Sequence, residues 1–130
     1  MAVEFALVVP LLLLIVFGII QYGLYFFSMQ GGSAAARDAA RAASVGKMAT
    51  CAEFVPWVKA RVGSANFGDV IDVKREYPDG TGIGKLVKVT VSFDSLNLHF
   101  PLIPVPGDGE VSTVADTRVE FEPTTPEECS

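Results

Sequence analysis

The chain has 130 residues, half of them apolar, and sets 15 Asp and Glu against 10 Lys and Arg for a net charge of −5. After Lys47 the imbalance is thirteen acids to seven bases, which excludes the basic patch that a nucleic-acid partner requires and gives no electrostatic reason to lie on an anionic membrane surface. The apolar amino-terminal segment and its continuation leave about 80 residues for everything else, near the lower size at which a domain holds a core unaided.

In chain order, Glu4 is followed by twenty-three residues, Phe5 to Phe27, in which Gln21 is the only strongly polar side chain. As a helix rising about 1.5 Å per residue this run extends about 35 Å, enough to cross a hydrocarbon core of about 30 Å. A cleavable secretory signal pairs a basic end with a shorter apolar run and a small-residue cleavage site. Here Glu4 stands at the mouth, Pro10 lies one and a half turns in, and no Lys or Arg precedes them. A carboxylate at a bilayer edge is costly to draw deeper unless a cation meets it, and a free terminal ammonium on an adjacent chain is one such cation. The other role open to Glu4 is that of a helix-entry acid complementing the macrodipole.

Gly31 and Gly32 weaken the helix, but seven of the ten residues from Ala34 to Ala43 are Ala, the best helix former, so the helix resumes or never breaks and runs from about Val3 to Val45. Its small side chains either let another helix approach closely or simply favour an exposed rod. Gly46 ends it. The chain thus divides into residues 1–46, an apolar helix with an Ala-rich extension, and residues 47–130, a small extracytoplasmic α+β domain.

Thr50-Cys51-Ala52-Glu53 has the pattern of a capping box, and Phe54, Val55, Val58 and Val62 follow at helical spacing, so a short helix covers about Cys51 to Val62. Pro56 predicts a kink or a delayed start, and Gly63 to Gly68 a loop. The period then changes to two. Ile71, Val73 and Tyr77 form one face of a first strand, Val87, Val89, Val91 and Phe93 of a second, and Val111, Ala115, Val119 and Phe121 of a third. Pro78-Asp79-Gly80-Thr81-Gly82 is turn chemistry, so the first two strands form an antiparallel hairpin, and the sheet's apolar face needs the helices as a cover. Between the second and third strands, Leu96 to Gly109 interleaves Pro101, Pro104 and Pro106 with Phe100, Leu102, Ile103 and Val105. Its prolines deny it an interior sheet position, and its apolar content predicts packing, on its own sheet or on a neighbouring copy.

Cys51 and Cys129 fall on the far side of the membrane segment. If that side is oxidising, an even pair in a small domain implies one disulfide, the alternative being two free thiols. No Cys-x-x-Cys spacing or ligand cluster points to metal or redox chemistry. The single histidine, His99, stands beside Leu98 and Phe100 and suits a structural role. No Ser or Cys has a recognisable base partner, and no Gly-rich loop is placed for phosphate. Asp79-Gly80-Thr81-Gly82 and Asp108-Gly109-Glu110 lack the spaced ligands of a calcium loop and suit ordinary turns. No catalytic, cofactor-binding or metal residue is assigned.

Taken together, Ala2-Val3-Glu4-Phe5-Ala6-Leu7-Val8-Val9-Pro10, the Leu run, Phe17-Gly18, Gln21-Tyr22-Gly23, and Ala35-Ala36-Arg37-Asp38-Ala39-Ala40-Arg41-Ala42-Ala43 resemble the TadE-like proteins of tight-adherence pilus systems. Val114-Ala115-Asp116-Thr117-Arg118-Val119-Glu120, after the Pro-rich stretch from Phe100 to Pro106, is similar to that family's closing strand. The resemblance implies an α+β, pilin-like subunit, made as a precursor, cleaved by a prepilin peptidase, methylated, and drawn by an assembly platform from the cytoplasmic membrane into an extracellular filament with copies of itself or other pilins. It implies that Glu4 pairs with the amino terminus, Met1, of a neighbour, and that helix packing involves Phe5, Pro10, Gly18, Gly23, Ala36 and Ala40. Two departures accompany it. The family's glutamate lies fifth after the cut and here is fourth from Met1, and the basic leader is missing, so the expectation is a sequence that begins at or just inside the mature terminus. A membrane-anchored assembly or adhesion factor that never polymerises is the alternative.

Overall fold

Forty-three residues, Ala2–Ser44, form one uninterrupted helix, α1. The computed structural model describes residues 1–65 and 68–130. After α1 come a second helix, α2 (Cys51–Ala65), and three strands, β1 (Val70–Glu76), β2 (Leu86–Asp94) and β3 (Glu110–Arg118), with a tight turn at Pro106–Gly109 in which Gly107 and Asp108 have positive φ. The strands form an antiparallel meander in the order β1-β2-β3. The second half of α1 lies across β3 and β2, and α2 flanks β1. The α+β layout of a long apolar helix, a short helix and a three-stranded antiparallel sheet is the one the periodicity predicts.

The glycines in α1 do not break it, and Gly32 has a specific reason to be there. It is buried against the ring of Phe93 from β2, and a Cβ at this position would overlap that ring. Below it, Ala35, Ala36, Ala39, Ala40 and Ala43 are buried against the sheet, so the small-residue face brings the helix axis close to strands carrying Val87, Val89, Val91 and Phe93. Gly46, with φ of 69°, closes α1 in a Schellman arrangement. Its N–H donates to Ala43 O at 3.1 Å, and Lys47 N–H donates to Ala42 O at 3.0 Å. The Ser44 carbonyl accepts from Glu120 and Phe121 N–H at 2.8 and 3.0 Å, so the chain leaving β3 satisfies the helix end.

Four local expectations change. A register shift between Val70 and Asp72 bulges β1, leaving Ile71 exposed and placing Val73, Arg75 and Tyr77 on the inner face. Phe121 is exposed because β3 ends at Arg118 and the chain turns to Ser44. The α2 helix runs through Pro56 and Gly63 to Ala65, and of the loop expected over Gly63 to Gly68, residues 66 and 67 lie outside the described residues. At its start, Cys51 N–H donates to the Glu127 carboxylate at 2.8 Å, so the end is capped from the carboxyl-terminal tail; among the described residues, no side-chain bond between Thr50 and Glu53 closes a capping box.

That tail is held by Arg75, which is fully buried. Nε donates to Glu127 O at 3.0 Å, Nη1 to Met48 O at 2.8 Å and Nη2 to Ala49 O at 2.7 Å, while the guanidinium carbon lies 4.3 Å from the centre of the Phe54 ring. Its backbone pairs with Cys129 in both directions, at 2.8 and 2.9 Å. Burial lowers the Arg75 pKa, with Tyr77 and Glu127 opposing, yet a guanidinium does not lose its proton in a protein. Burial also raises the Tyr77 pKa above its ordinary value of 10.0, so the phenol is neutral at pH 7.

Cys51 and Cys129 are joined, with Cα atoms 5.7 Å apart, closing a loop of 78 residues that the chain-entropy account values at about 4 kcal/mol. Asp38 and Arg61 add an exposed ion pair between α1 and α2 at 3.4 Å, a contribution of at most about 1 kcal/mol.

Three predictions follow from this packing. In Gly32→Ala, overpacking against Phe93 costs about 1 to 3 kcal/mol and exceeds the helix-propensity gain of about 1 kcal/mol, whereas Gly63→Ala in open space gains up to about 1 kcal/mol, so denaturation midpoints in detergent move in opposite directions. Arg75→Met removes the side-chain donors to the Met48 and Glu127 carbonyls and one of the two donors to the Ala49 carbonyl, which keeps Glu127 N–H, and lowers unfolding stability by on the order of 3 kcal/mol, measured the same way. Non-reducing peptide mapping of the protein recovers Cys51 and Cys129 as one linked pair, and two freely alkylated thiols would contradict the fold.

Candidate functional site

The surface that the fold leaves uncovered is the first half of α1. Between Met1 and Ile20 many of its large side chains, among them Phe5, Leu7, Leu11, Ile15 and Ile19, stand more than half exposed. A helix of this length and composition can cross a membrane. Glu4 lies in its first turn and is exposed, and among the described residues no ion pair reaches it. Phe5 and Pro10 share this open region, and a Cβ added at Gly18 or Gly23 would meet nothing within 4 Å, so both glycines leave open flanks. Ala36 and Ala40 sit elsewhere, at 0% and 2% exposure under the chain's own sheet. The close approach their size permits is made within the molecule.

The boundary between open and covered helix is Gln21. Its side chain is 1% exposed; Nε2 donates to Leu96 O at 3.0 Å and Oε1 accepts from Leu98 N–H at 3.0 Å, so one amide completes the backbone of an extended segment as a paired strand would. On the next residue, Tyr22 Oη donates to Pro104 O at 2.8 Å, and one turn toward the amino end Phe17 stacks on Phe100 with ring centroids 4.5 Å apart. The Pro-rich segment is therefore a strap laid along α1. Its packing is intramolecular, as one of the two expectations had it, but its support is the helix and not the sheet. The base of the strap is closed where Ser95 N–H and Oγ both donate to Gly109 O at 2.7 Å.

Sequence periodicity did not assign these contacts. The lone amide in an apolar run was the available signal for Gln21, since a buried amide demands partners of its own. For Arg75 the signal was parity: it shares the inward phase of Val73 and Tyr77.

The hollows elsewhere are shallow. One, of about 360 Å³, is an open groove between Arg37, Arg41, Asp116 and Glu120, in which charges of both signs face solvent. His99, with φ of 51°, lies in the strap, its N–H donating to Asn97 Oδ1 at 2.9 Å. Asp79 stands in the turn closed by Gly80 N–H to Tyr77 O at 2.9 Å, and Asp108, with φ of 55°, in the turn at Pro106–Gly109.

Neither a curated protein nor a solved structure matches the chain. Residues 1–41 do match a family model, that of the TadE-like protein, so the similarity carried by the amino-terminal pattern covers Glu4, the exposed apolar part of α1 and all but the last turn of its buried half.

Proposed function

We propose that this chain is a pilin-like subunit of a tight-adherence pilus, held in the cytoplasmic membrane by α1 before assembly and packed through the same helix against other subunits in the extracellular filament. The match to the TadE-like family suggests a pilus-associated, non-enzymatic protein. What supports polymerisation is one observation: a helix left bare of its own domain from Met1 to Val16, with a carboxylate at its amino-terminal end, Glu4, that has no ion pair among the described residues. An apolar rod of this kind needs either lipid or other helices around it. In a bundle of copies, Glu4 meets the positive amino terminus of an adjacent subunit, a pairing that fixes the stagger between them. Phe5 and Pro10 shape the contact near the carboxylate, and Gly18 and Gly23 let neighbouring helices approach closely. Prepilin peptidase and an assembly platform are the partners this route requires.

Glu4 lies far along α1 from the Arg75 junction, so Glu4→Ala leaves the fold of the outer portion unchanged. In a filament it leaves a neighbour's cation unpaired in an apolar surround, where removing one side of a buried pair costs about 3 to 5 kcal/mol. At matched membrane levels and matched processing, Glu4→Ala and Glu4→Gln abolish incorporation into sheared filaments, and Glu4→Asp, shorter by one methylene, restores part of it. Wild-type incorporation of Glu4→Ala would leave a membrane-anchored, non-polymerising factor as the better description.

A further inference from the structure

We infer that the tip of the strap, Phe100 to Pro104, is a second membrane contact that dips into the acyl boundary of the bilayer beside α1. The inference rests on the reading of α1 as a membrane anchor. The geometry of that anchor sets the depth. From Phe5, the first residue past the carboxylate at the mouth, to Ile20 the helix measures about 24 Å, less than the hydrocarbon thickness of about 30 Å, so the edge falls at Gln21 or beyond it. Phe17, stacked on Phe100, then lies at least about 6 Å inside that edge. Were the strap kept out of the bilayer, the span would end at Val16 and measure about 18 Å, leaving a shortfall that only local thinning could absorb.

The strap is built for this position. No Asp, Glu, Lys or Arg occurs from Ser95 to Gly107. Irregular backbone in lipid is costly because its N–H and C=O groups lack water, and here the demand is reduced residue by residue. Pro101, Pro104 and Pro106 have no N–H. The N–H groups of Leu98, His99 and Ile103 are bonded to Gln21, Asn97 and Phe100, and the Pro104 carbonyl is bonded to Tyr22. At the far point, Leu102 is 87% exposed and held at φ of 66°, a left-handed conformation that costs a leucine about 1 kcal/mol and that its own chain does not cover. Aromatic and aliphatic side chains without charge at this depth suit the interface between acyl chains and headgroups.

The test uses the full chain with Trp57→Phe as background, reconstituted in phosphatidylcholine vesicles whose acyl chains carry nitroxides either near the headgroup or near the methyl end. Leu102→Trp reports the tip, Leu11→Trp the middle of the anchor, and native Trp57 the outer domain. The expected result is a Leu102→Trp emission shifted to the blue of Trp57 and losing more intensity to the shallow nitroxide than to the deep one, with the order reversed for Leu11→Trp. Unquenched, Trp57-like emission from Leu102→Trp beside a deeply quenched Leu11→Trp would overturn the strap contact and leave the anchor standing. Blue-shifted but unquenched emission from Leu102→Trp would assign the tip to a second copy of the chain and overturn the lipid contact. Absence of quenching at Leu11→Trp would remove the anchor and the strap contact with it.

Discussion

The outer part of this protein depends on one buried guanidinium. Taking a charge out of water is expensive, and Arg75 is tolerated because every edge of its fork is used: carbonyls of Met48, Ala49 and Glu127 accept from it, and the Phe54 ring lies against its face. Those acceptors come from two stretches that have no regular structure of their own, the connection between α1 and α2 and the carboxyl-terminal tail. A Lys would offer a point charge without the fork and could not span the same set. The guanidinium thus does for these segments what a fourth strand and a longer turn would do in a larger fold. The bridge between Cys51 and Cys129 closes the same junction covalently. A portion of about 80 residues beyond the long helix, near the limit for an unaided core, is fastened at one point by a charge, a ring and a disulfide.

The helix α1 serves two environments, and its side chains change with them. Toward the amino end large groups such as Phe5, Leu7 and Leu11 face outward with no covering from the domain. Beyond Gly32 the side chains shrink to Ala, because there the helix must lie close to a sheet whose inner face is Val and Phe. Continuity between the halves lets force or displacement at one end reach the other without an intervening hinge. Gln21 and the strap mark the transition, and they do so by hydrogen bonds that an apolar side chain could not make.

That transition bears on the proposed role. A subunit that lives first in lipid and then among its own kind needs one apolar surface acceptable to both, and the bare half of α1 is such a surface. The match to the TadE-like family model covers this half of α1 and all but the last turn of the buried half.

Much of this was legible from the residues alone, because it depends on local periodicity. The long apolar run, the Ala-rich continuation, the closing Gly46 and the three strands with their hairpin turn each carry their signal within a few residues. The inner faces of β2 and most of β3 follow from strict alternation. What the sequence could not decide is where distant backbone groups find partners. Ile71 breaks the alternation because the bulge belongs to the pairing between β1 and β2. Phe121 leaves the core because Ser44, seventy-seven residues earlier, needs donors for its carbonyl. Thr50 and Glu53 form a local cap pattern, yet the donor at Cys51 is taken by Glu127 from the tail. The strap could be predicted to pack but not where, since Gln21 lies 75 residues from Leu96 and nothing local links them. Propensity and period act over one or two turns, whereas the satisfaction of a buried amide or guanidinium is settled only when the whole chain is in place.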